Sequence, residues 1–301
     1  MPADKGKRHP AYLLYSAGRI LASAVPGPVL LPGAEVAAAL AGRLNKRRQE
    51  VIRTNLRRVV GPEQLDRAVD RAFRSYGRYW VETLRLPKPG VRSIAGRTSE
   101  EGAEKLEPYL RSGRGVIFVT PHLGNWDIAG AWLASRGWRV IAVAEALKPR
   151  VLFDMFVRLR SECGMEVHPL GTASTARALI TGLKQGAALG LLSDRDISGT
   201  GVEVEFFGER TFLPSGPAVL ALRTGAAIVA GAVFQRPGGR YHGVILDPID
   251  VQRSRGGTSE VAALTQRIAR ELETLIRMDP GQWHLFQPNW PSDPGYSRTP
   301  G

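Results

Sequence analysis

A histidine and an aspartate separated by four residues form the pair in this sequence best suited to acid–base chemistry. His122 and Asp127 lie between the apolar run 115–119, typical of a buried strand, and residues 128–134, typical of a helix. On an ideal helix the five steps between them would set the two side chains roughly 140° apart. We therefore expect His122 in the turn and Asp127 in the first helical turn, where they can pair as a general base and its orienting carboxylate.

The residues between His122 and Asp127 favour a tight, well-ordered turn. Gly124 permits a tight turn, Asn125 can bond the local backbone, and Trp126 can anchor the turn in the core. The alternative is that His122 is an ordinary turn residue and Asp127 a helix-start carboxylate. The composition of the turn favours the catalytic interpretation.

A second polar segment follows another apolar strand pattern. Ser193, Asp194, Arg195 and Asp196 come directly after residues 187–192. Active sites of open α/β sheets lie beyond the carboxyl ends of the strands, and buried carboxylates are costly unless a polar partner is near. In an extended chain Asp194 and Asp196 point the same way. The structural alternative is a loop ion pair with turn-forming aspartates.

The elements that would position these residues alternate along most of the chain. The predicted strands are residues 115–120, 139–144, 165–169, 187–193, 227–234 and 241–247. The predicted helices are residues 127–136, 150–162, 174–185, 214–224 and 258–278. This alternation predicts an α/β fold with a mostly parallel central sheet flanked by helices.

The first part of the chain differs in character. Residues 1–86 form a predicted basic, amphipathic helical region, and residues 87–301 form the predicted α/β core. Residues 1–85 carry 16 Lys and Arg against 7 Asp and Glu, which is +9 of the net charge of +13. Such a segment favours a polyanion, either nucleic acid or an anionic membrane surface.

Residues 11–25 and 34–60 are predicted helices of mixed apolar and basic character, and the clearest amphipathic helix covers residues 63–84. One face of the helix 63–84 carries four arginines at helical spacing: Arg67, Arg71, Arg74 and Arg78. Either they form a solvated stripe over a packed helix, or they face phosphates or a membrane.

Composition excludes some classes of protein. The chain has 301 residues, 43% hydrophobic and 23% charged, which fits a globular fold. A single cysteine, Cys163, allows no intrachain disulfide, and we expect a buried thiol.

Charges and prolines interrupt every apolar stretch near the N-terminus, so we expect a soluble or surface-bound protein. No zinc-site spacing, phosphate-binding glycine loop or nucleophile elbow occurs in the sequence, and we expect neither a metal nor a cofactor.

Several segments together resemble one family. In order along the chain they are His122-x4-Asp127, Ser193-Asp194-Arg195-Asp196, Phe206-Phe207-Gly208, the turn Pro214 to Ala218 and Gln282-Trp283-His284. They resemble the lipid A biosynthesis acyltransferases, whose fold is similar to that of the glycerolipid acyltransferases. Residues 74–80, 144–149 and 200–208 resemble the actinobacterial branch, the phosphatidylinositol mannoside acyltransferases.

The resemblance implies an acyl-CoA-dependent enzyme that works as a peripheral protein on the cytoplasmic face of the plasma membrane and acylates a mannose hydroxyl. It implies that His122 is the general base and Asp127 its partner, with Asp194 a further catalytic residue. The residues expected to bind substrate are Arg160, Asn125, Glu145, Lys148, Arg195 and Asp196. The expected partners are acyl-CoA, a phospholipid or glycolipid acceptor and an anionic membrane surface, with no nucleic acid.

Two positions depart from the pattern of that branch. Leu123 stands where a serine is expected, and Ser193-Asp194 stands where an Ala-Glu pair is expected. A carboxylate is kept at position 194, so the departures concern the acceptor more than the reaction.

Three other functions remain open at this stage. The chain could acylate a lysophospholipid or another glycolipid, or bind membrane lipid without catalysis. A nucleic-acid-binding protein would explain the net charge of +13, but no recognition motif is present. Lipid binding alone does not account for polar residues at two successive strand ends.

Overall fold

The described part of this computed structural model, residues 10–86, 90–145, 150–254 and 257–298, contains a central sheet of seven strands and a separate two-stranded hairpin. The sheet strands are β1 (Thr98–Glu101), β2 (Val116–Thr120), β3 (Val140–Ala144), β4 (Met165–Pro169), β5 (Ala188–Leu192), β8 (Ala227–Arg236) and β9 (Arg240–Ile245). The hairpin consists of β6 (Val202–Phe206) and β7 (Glu209–Leu213).

Helices surround this sheet. They are α1 (Pro10–Ala24), α2 (Gly27–Leu44), α3 (Lys46–Leu56), α4 (Pro62–Arg85), α5 (Gly90–Ala95), α6 (Glu107–Ser112), α7 (Trp126–Ser135), α8 (Arg150–Ser161), α9 (Ala173–Lys184), α10 (Gly216–Thr224) and α11 (Thr258–Met278). The strand order is β1-β9-β8-β2-β5-β3-β4, and β8 with β9 is the antiparallel pair within it. The predicted α/β fold with a mostly parallel sheet flanked by helices is confirmed.

The edge strand β1 and the predicted helix 34–60 are two places where the prediction and the structure differ. Strand β1 has the sequence TSEE, with neither an apolar run nor an apolar alternation, and it forms by pairing in parallel with β9. The predicted helix 34–60 is interrupted at Asn45, whose side chain accepts a hydrogen bond from the Arg48 amide and starts α3. Long-range pairing and local capping thus override the periodic pattern.

The first four helices pack directly on the rest of the molecule. Ile52 and Leu56 of α3 and Phe73 of α4 belong to the same hydrophobic cluster as Ile117 of β2. A Cβ at Gly77 of α4 would overlap the backbone of α2, so these two helices touch closely. Whether residues 1–86 and 87–301 are separate domains stays a prediction.

The arginines of α4 are mostly engaged within the protein. Arg71 pairs with Asp279 at 2.6 Å, Arg74 with Asp70 at 2.5 Å, and buried Arg78 with Glu82 at 2.6 Å. Of the four predicted stripe residues, Arg67 is the one for which the described residues provide no ion pair. Arg78 is buried and cannot face phosphates, whereas Arg71 is 54% exposed and Arg74 is 36% exposed, so a phosphate-facing stripe on α4 stays a prediction for the other three arginines.

Apolar side chains are exposed on the first two helices instead. Those of α1 are Leu13, Ile20 and Leu21, and those of α2 are Val29, Val36, Leu40 and Leu44. Each set recurs at helical spacing and so forms one stripe along its helix. Among the residues that the structure describes, no helix has both the length and the apolar character needed to cross a bilayer.

Candidate active site

The site lies where two central parallel strands end. β2 and β5 are neighbours, with Thr120 opposite Leu192, so the residues that follow them leave the sheet at the same edge. His122 follows β2 and Asp194 follows β5. The order of the strands thus brings together two residues that are 72 positions apart in the sequence.

His122 is held by Asp194. Its Nδ1 lies 2.6 Å from Oδ1 of Asp194, and its backbone N–H donates to Oδ2 at 3.0 Å. The indole N–H of Trp283 also donates to Oδ2, at 2.8 Å. Because Nδ1 donates to the carboxylate, the lone pair of the neutral ring lies on Nε2, for which the described residues provide no hydrogen-bond partner.

Asp194 is fully buried and charged. Burial alone would raise the pKa of its carboxyl, but the positive charge that His122 carries when protonated and the hydrogen bonds from His122 and Trp283 hold that pKa below its usual value. The His122 side chain is 20% exposed at the cavity surface. The pair therefore joins a buried anion to an accessible imidazole, the arrangement that a general base requires.

Asp127 has a different set of partners. Its carboxylate accepts from Arg160 Nε at 2.7 Å, from the Tyr79 hydroxyl at 3.0 Å and from Thr83 at 3.3 Å. Helix α7 begins at Trp126, so Asp127 is already helical and its carboxylate faces α4 and α8. The prediction that Asp127 orients His122 is corrected by these contacts, since Asp194 has that position.

Asn125 starts α7 and lies out of reach of the cavity. Its Oδ1 accepts from the Ile128 amide at 3.1 Å, and its Nδ2 donates to Glu82 at 3.0 Å. The residue is fully buried. The prediction that Asn125 binds substrate is therefore wrong, because both polar atoms of its side chain bind protein.

The remaining predicted binding residues are divided between the cavity wall and its surrounding loops. Arg160, Arg195 and Glu145 line the cavity, while Lys148 lies outside the described residues. Asp196 also lines the cavity, but its carboxylate accepts from the backbone amides of residues 198, 199 and 201. Asp196 thus organises its own loop, as the structural alternative for this segment proposed.

His284 is a second imidazole beside His122. Its backbone N–H donates to the carbonyl oxygen of His122 at 2.6 Å, and its ring packs against Tyr76 and Tyr79. Burial, together with the charge of His122, lowers the pKa of His284 to about 3, so its ring is neutral. From the sequence, we named Gln282-Trp283-His284 only among the family-like segments and did not predict that His284 lies in the site.

The tautomer of His284 follows from the hydrogen-bond network. Gln235 donates through Nε2 to the Ser75 carbonyl and to Glu82, each at 3.2 Å, so its Oε1 is the acceptor for the Ser75 hydroxyl. The Ser75 oxygen then accepts from Nε2–H of His284 at 2.8 Å. The Nδ1 of His284 therefore carries a lone pair, and this buried atom has no partner among the described residues.

These side chains surround a large, mainly apolar cavity. It has a volume of about 1010 Å³ and is lined by His122, Asp127, Arg160 and His284 near one another and by apolar residues deeper in the fold. A pocket of this size with a few converging polar groups is typical of a small-molecule or lipid site. The geometry fits proton removal from a hydroxyl beside an apolar ligand.

Comparisons with known proteins point in the same direction. The profile of the bacterial lipid A biosynthesis acyltransferase family matches residues 1–292. The phosphatidylinositol mannoside acyltransferase of Mycobacterium tuberculosis (strain CDC 1551 / Oshkosh) is 38% identical over 257 residues, which cover 83% of this chain and 79% of that protein. The protein of the same name from Mycolicibacterium smegmatis (strain ATCC 700084 / mc(2)155) is 36% identical over 291 residues, covering 93% and 91%.

One solved structure is also similar. The crystal structure of the 1-acyl-sn-glycerophosphate acyltransferase of Thermotoga maritima aligns with a TM-score of 0.36 and 18% identity. The alignment covers 80% of this chain and 98% of that one.

Proposed function

We propose, since this chain belongs to the bacterial lipid A biosynthesis acyltransferase family, that it transfers a fatty acyl group from acyl-CoA to a mannose hydroxyl of a phosphatidylinositol mannoside. The acceptor is proposed from the names of relatives that are 36–38% identical. The observation that carries the reaction is the His122 imidazole, held by Asp194, at the wall of a mainly apolar cavity.

His122 is the general base of this reaction. A sugar hydroxyl is a poor nucleophile, so Nε2 of His122 removes its proton while the oxygen attacks the thioester carbonyl carbon. The carbon–sulfur bond then breaks, and the CoA thiolate takes the proton back from the imidazolium. Asp194 holds Nδ1–H and stabilises the transient positive charge of the ring. A thiolate is a good leaving group, so the step needs no metal, cofactor or acyl-enzyme.

Arg160 is our candidate for stabilising the oxyanion. The backbone amides of residues 122–125 are not free for this role, since they donate to Asp194, Pro121, Gln282 and Val233. Arg160 lines the cavity, and its Nε is occupied by Asp127. A guanidinium has five N–H donors, so others remain to face a developing negative charge.

His284 supplies an acceptor for the sugar. Its unpartnered Nδ1 lies in a residue that lines the cavity and is 4% exposed. A buried acceptor without a partner is costly, and a hydroxyl of the bound mannose would satisfy it. We therefore assign His284 to orienting the acceptor.

We assign the exposed apolar stripes of α1 and α2 to docking on an anionic membrane, with the enzyme peripheral on the cytoplasmic face. Ile20 is 69% exposed and Leu44 is 86% exposed, and each belongs to an apolar stripe along its helix. A helix with such a stripe can insert its apolar face at a membrane surface. The net charge of +13 would add attraction to anionic lipid, and nucleic acid is not needed to explain it.

The test is an acceptor panel. Purified enzyme is incubated with labelled palmitoyl-CoA and a phosphatidylinositol mannoside, a lysophospholipid or another glycolipid, and the acylated product is identified by mass spectrometry. We expect acylation of the mannoside, at a mannose hydroxyl. Preferential acylation of a lysophospholipid would overturn the acceptor, and no transfer to any member of the panel would overturn the donor.

A further inference from the structure

One part of the cavity extends between α7 and the central sheet. We call it the α7 lobe and define it by Phe118, Trp132, Leu133, Val233 and Ile245, which line the cavity and are each less than 10% exposed. All five belong to one hydrophobic cluster. An apolar chain bound here would be removed from water along most of its length.

Glycines on the sheet make room for this lobe. Gly190 of β5 lies opposite Phe118 of β2, and Gly243 of β9 lies opposite Val233 of β8. A Cβ at Gly190 or at Gly243 would find no heavy atom closer than 3.9 Å, so both positions face open space within the cavity wall. Glycine inside a strand often marks the close approach of a ligand.

From the side of β2, the strand that His122 follows, the lobe extends across the sheet to its edge. Residues of β2, β8, β9 and β1 line it, and these strands are consecutive in the sheet. Three strand spacings amount to about 14 Å, measured across the sheet. Strand β1 is the edge of the sheet, so the lobe ends there.

An ion pair occupies that end. Glu100 of β1 lies opposite Gly243, lines the cavity and pairs with Arg136, the residue that follows α7. The Arg136 guanidinium also lies over the Trp132 ring, 5.0 Å from its centroid. The Glu100 and Arg136 side chains are 28% and 48% exposed, whereas Trp132 is 7% exposed. The apolar wall thus gives way to a charged pair at the protein surface.

We propose that the Glu100–Arg136 pair is the stop of the α7 lobe and sets the longest acyl chain that the enzyme accepts. The inference rests on the proposed function, in that the chain in the lobe belongs to the acyl donor. A chain that fits ends against the apolar wall. A longer chain must displace two charged groups from each other or leave its terminal carbons outside the lobe, and either outcome weakens binding.

Removing the Glu100–Arg136 ion pair tests directly whether it limits the length of the acyl chain. The double variant Glu100→Ala/Arg136→Ala is compared with wild type for transfer from palmitoyl-, stearoyl- and arachidoyl-CoA, and for binding of each donor by calorimetry without acceptor. We expect the preference for the longest donor over the shorter ones to rise about tenfold or more. Arg139→Ala is the matched control, because Arg139 pairs with Glu166 at 2.8 Å outside the cavity and should leave the chain-length profile unchanged.

Filling the lobe should have the opposite effect. Gly243→Val adds a side chain to the floor next to Glu100, and the Cβ fits without overlap. We expect this variant to favour lauroyl- and myristoyl-CoA over palmitoyl-CoA, while its melting temperature shows that it is folded.

The outcomes separate this inference from the proposed function. If wild type binds the donors and both variants keep its chain-length profile, the stop is wrong while the donor assignment stands. If wild type binds no acyl-CoA, the donor assignment fails and the stop fails with it. Opposite shifts in the two variants would support the stop.

Discussion

Two carboxylates lie near the His122 loop, and their surroundings give them different roles. Asp194 binds the His122 ring at 2.6 Å, whereas Asp127 pairs with Arg160 at 2.7 Å. The spacing of His122 and Asp127 predicted that His122 lies in a turn and Asp127 in the first turn of the following helix, and the structure confirms both positions. It could not predict the partner of the ring, because this depends on β5 lying next to β2.

Neutralising each carboxylate should separate the roles. We expect Asp194→Asn to lower kcat by about 10²-fold or more, because the amide no longer holds the reactive tautomer of His122. We expect Asp127→Asn to act mainly on stability, by about 3–5 kcal/mol, because it leaves Arg160, whose side chain is only 16% exposed, without its counter-charge. Steady-state kinetics and urea unfolding measure the two effects. If folded Asp127→Asn lost as much kcat as Asp194→Asn does, the assignment of the two carboxylates would be contradicted.

The neutral ring of His284 makes a second prediction at this scale. Its pKa is about 3 in the folded protein against an ordinary value of 6.5, so below pH 6.5 the unfolded chain binds a proton that the folded protein does not. The stability that depends on the neutral ring is therefore complete above pH 6.5 and is lost as the pH falls toward 3.

Between about pH 6 and pH 4, wild type should lose about 1.4 kcal/mol of unfolding free energy per pH unit more than His284→Gln does. Urea unfolding across this range measures the difference. Equal slopes for the two proteins would show that His284 is not buried as a neutral ring.

Among the elements, α7 and the turn before it depend on contacts from distant parts of the chain. Gly124 donates to the Gln282 carbonyl at 3.0 Å, and Asn125 donates to that of Val233 at 2.9 Å. The apolar runs predicted β2 and the start of α7 within a residue or two. They could not predict β1, because TSEE has no apolar pattern and forms a strand only by pairing with β9.

Gly124→Ala should therefore be costly. Gly124 has φ +61°, and a Cβ there would overlap the Val233 carbonyl oxygen, so we expect about 3 kcal/mol or more of lost stability with loss of activity. Gly113→Ala is a close control, because Gly113 has φ +64° but no atom within 4 Å of the added Cβ. The control should lose about 1–2 kcal/mol and keep its activity. Equal losses in the two variants would argue against a tightly held turn.

For the molecule as a whole, the N-terminal helices carry two kinds of surface, paired arginines on α4 and exposed apolar side chains on α1 and α2. Charge counting indicated a basic region, and helical spacing indicated amphipathic helices. Neither could show which arginines of α4 find acidic partners, because Arg71 meets Asp279 and buried Arg78 meets Glu82 only in the folded protein. The surface that we propose for membrane docking is the exposed apolar face of α1 and α2.

Vesicle binding tests that surface. We expect Ile20→Asp and Leu40→Asp each to weaken co-sedimentation with anionic phospholipid vesicles by about tenfold or more, because each removes a large apolar side chain from the interface. Arg71→Ala, whose guanidinium pairs with Asp279, should bind vesicles almost as wild type does. The reverse ranking would assign docking to the arginines.

The most direct test of the whole account is acyl transfer by His122→Ala. The variant and wild type are compared with labelled palmitoyl-CoA and a phosphatidylinositol mannoside, after melting temperature and acyl-CoA binding show that the variant is folded and binds its donor. We expect kcat to fall by about 10²–10⁴-fold. Near-normal transfer by the folded variant would contradict it, because no other residue was assigned to take the proton.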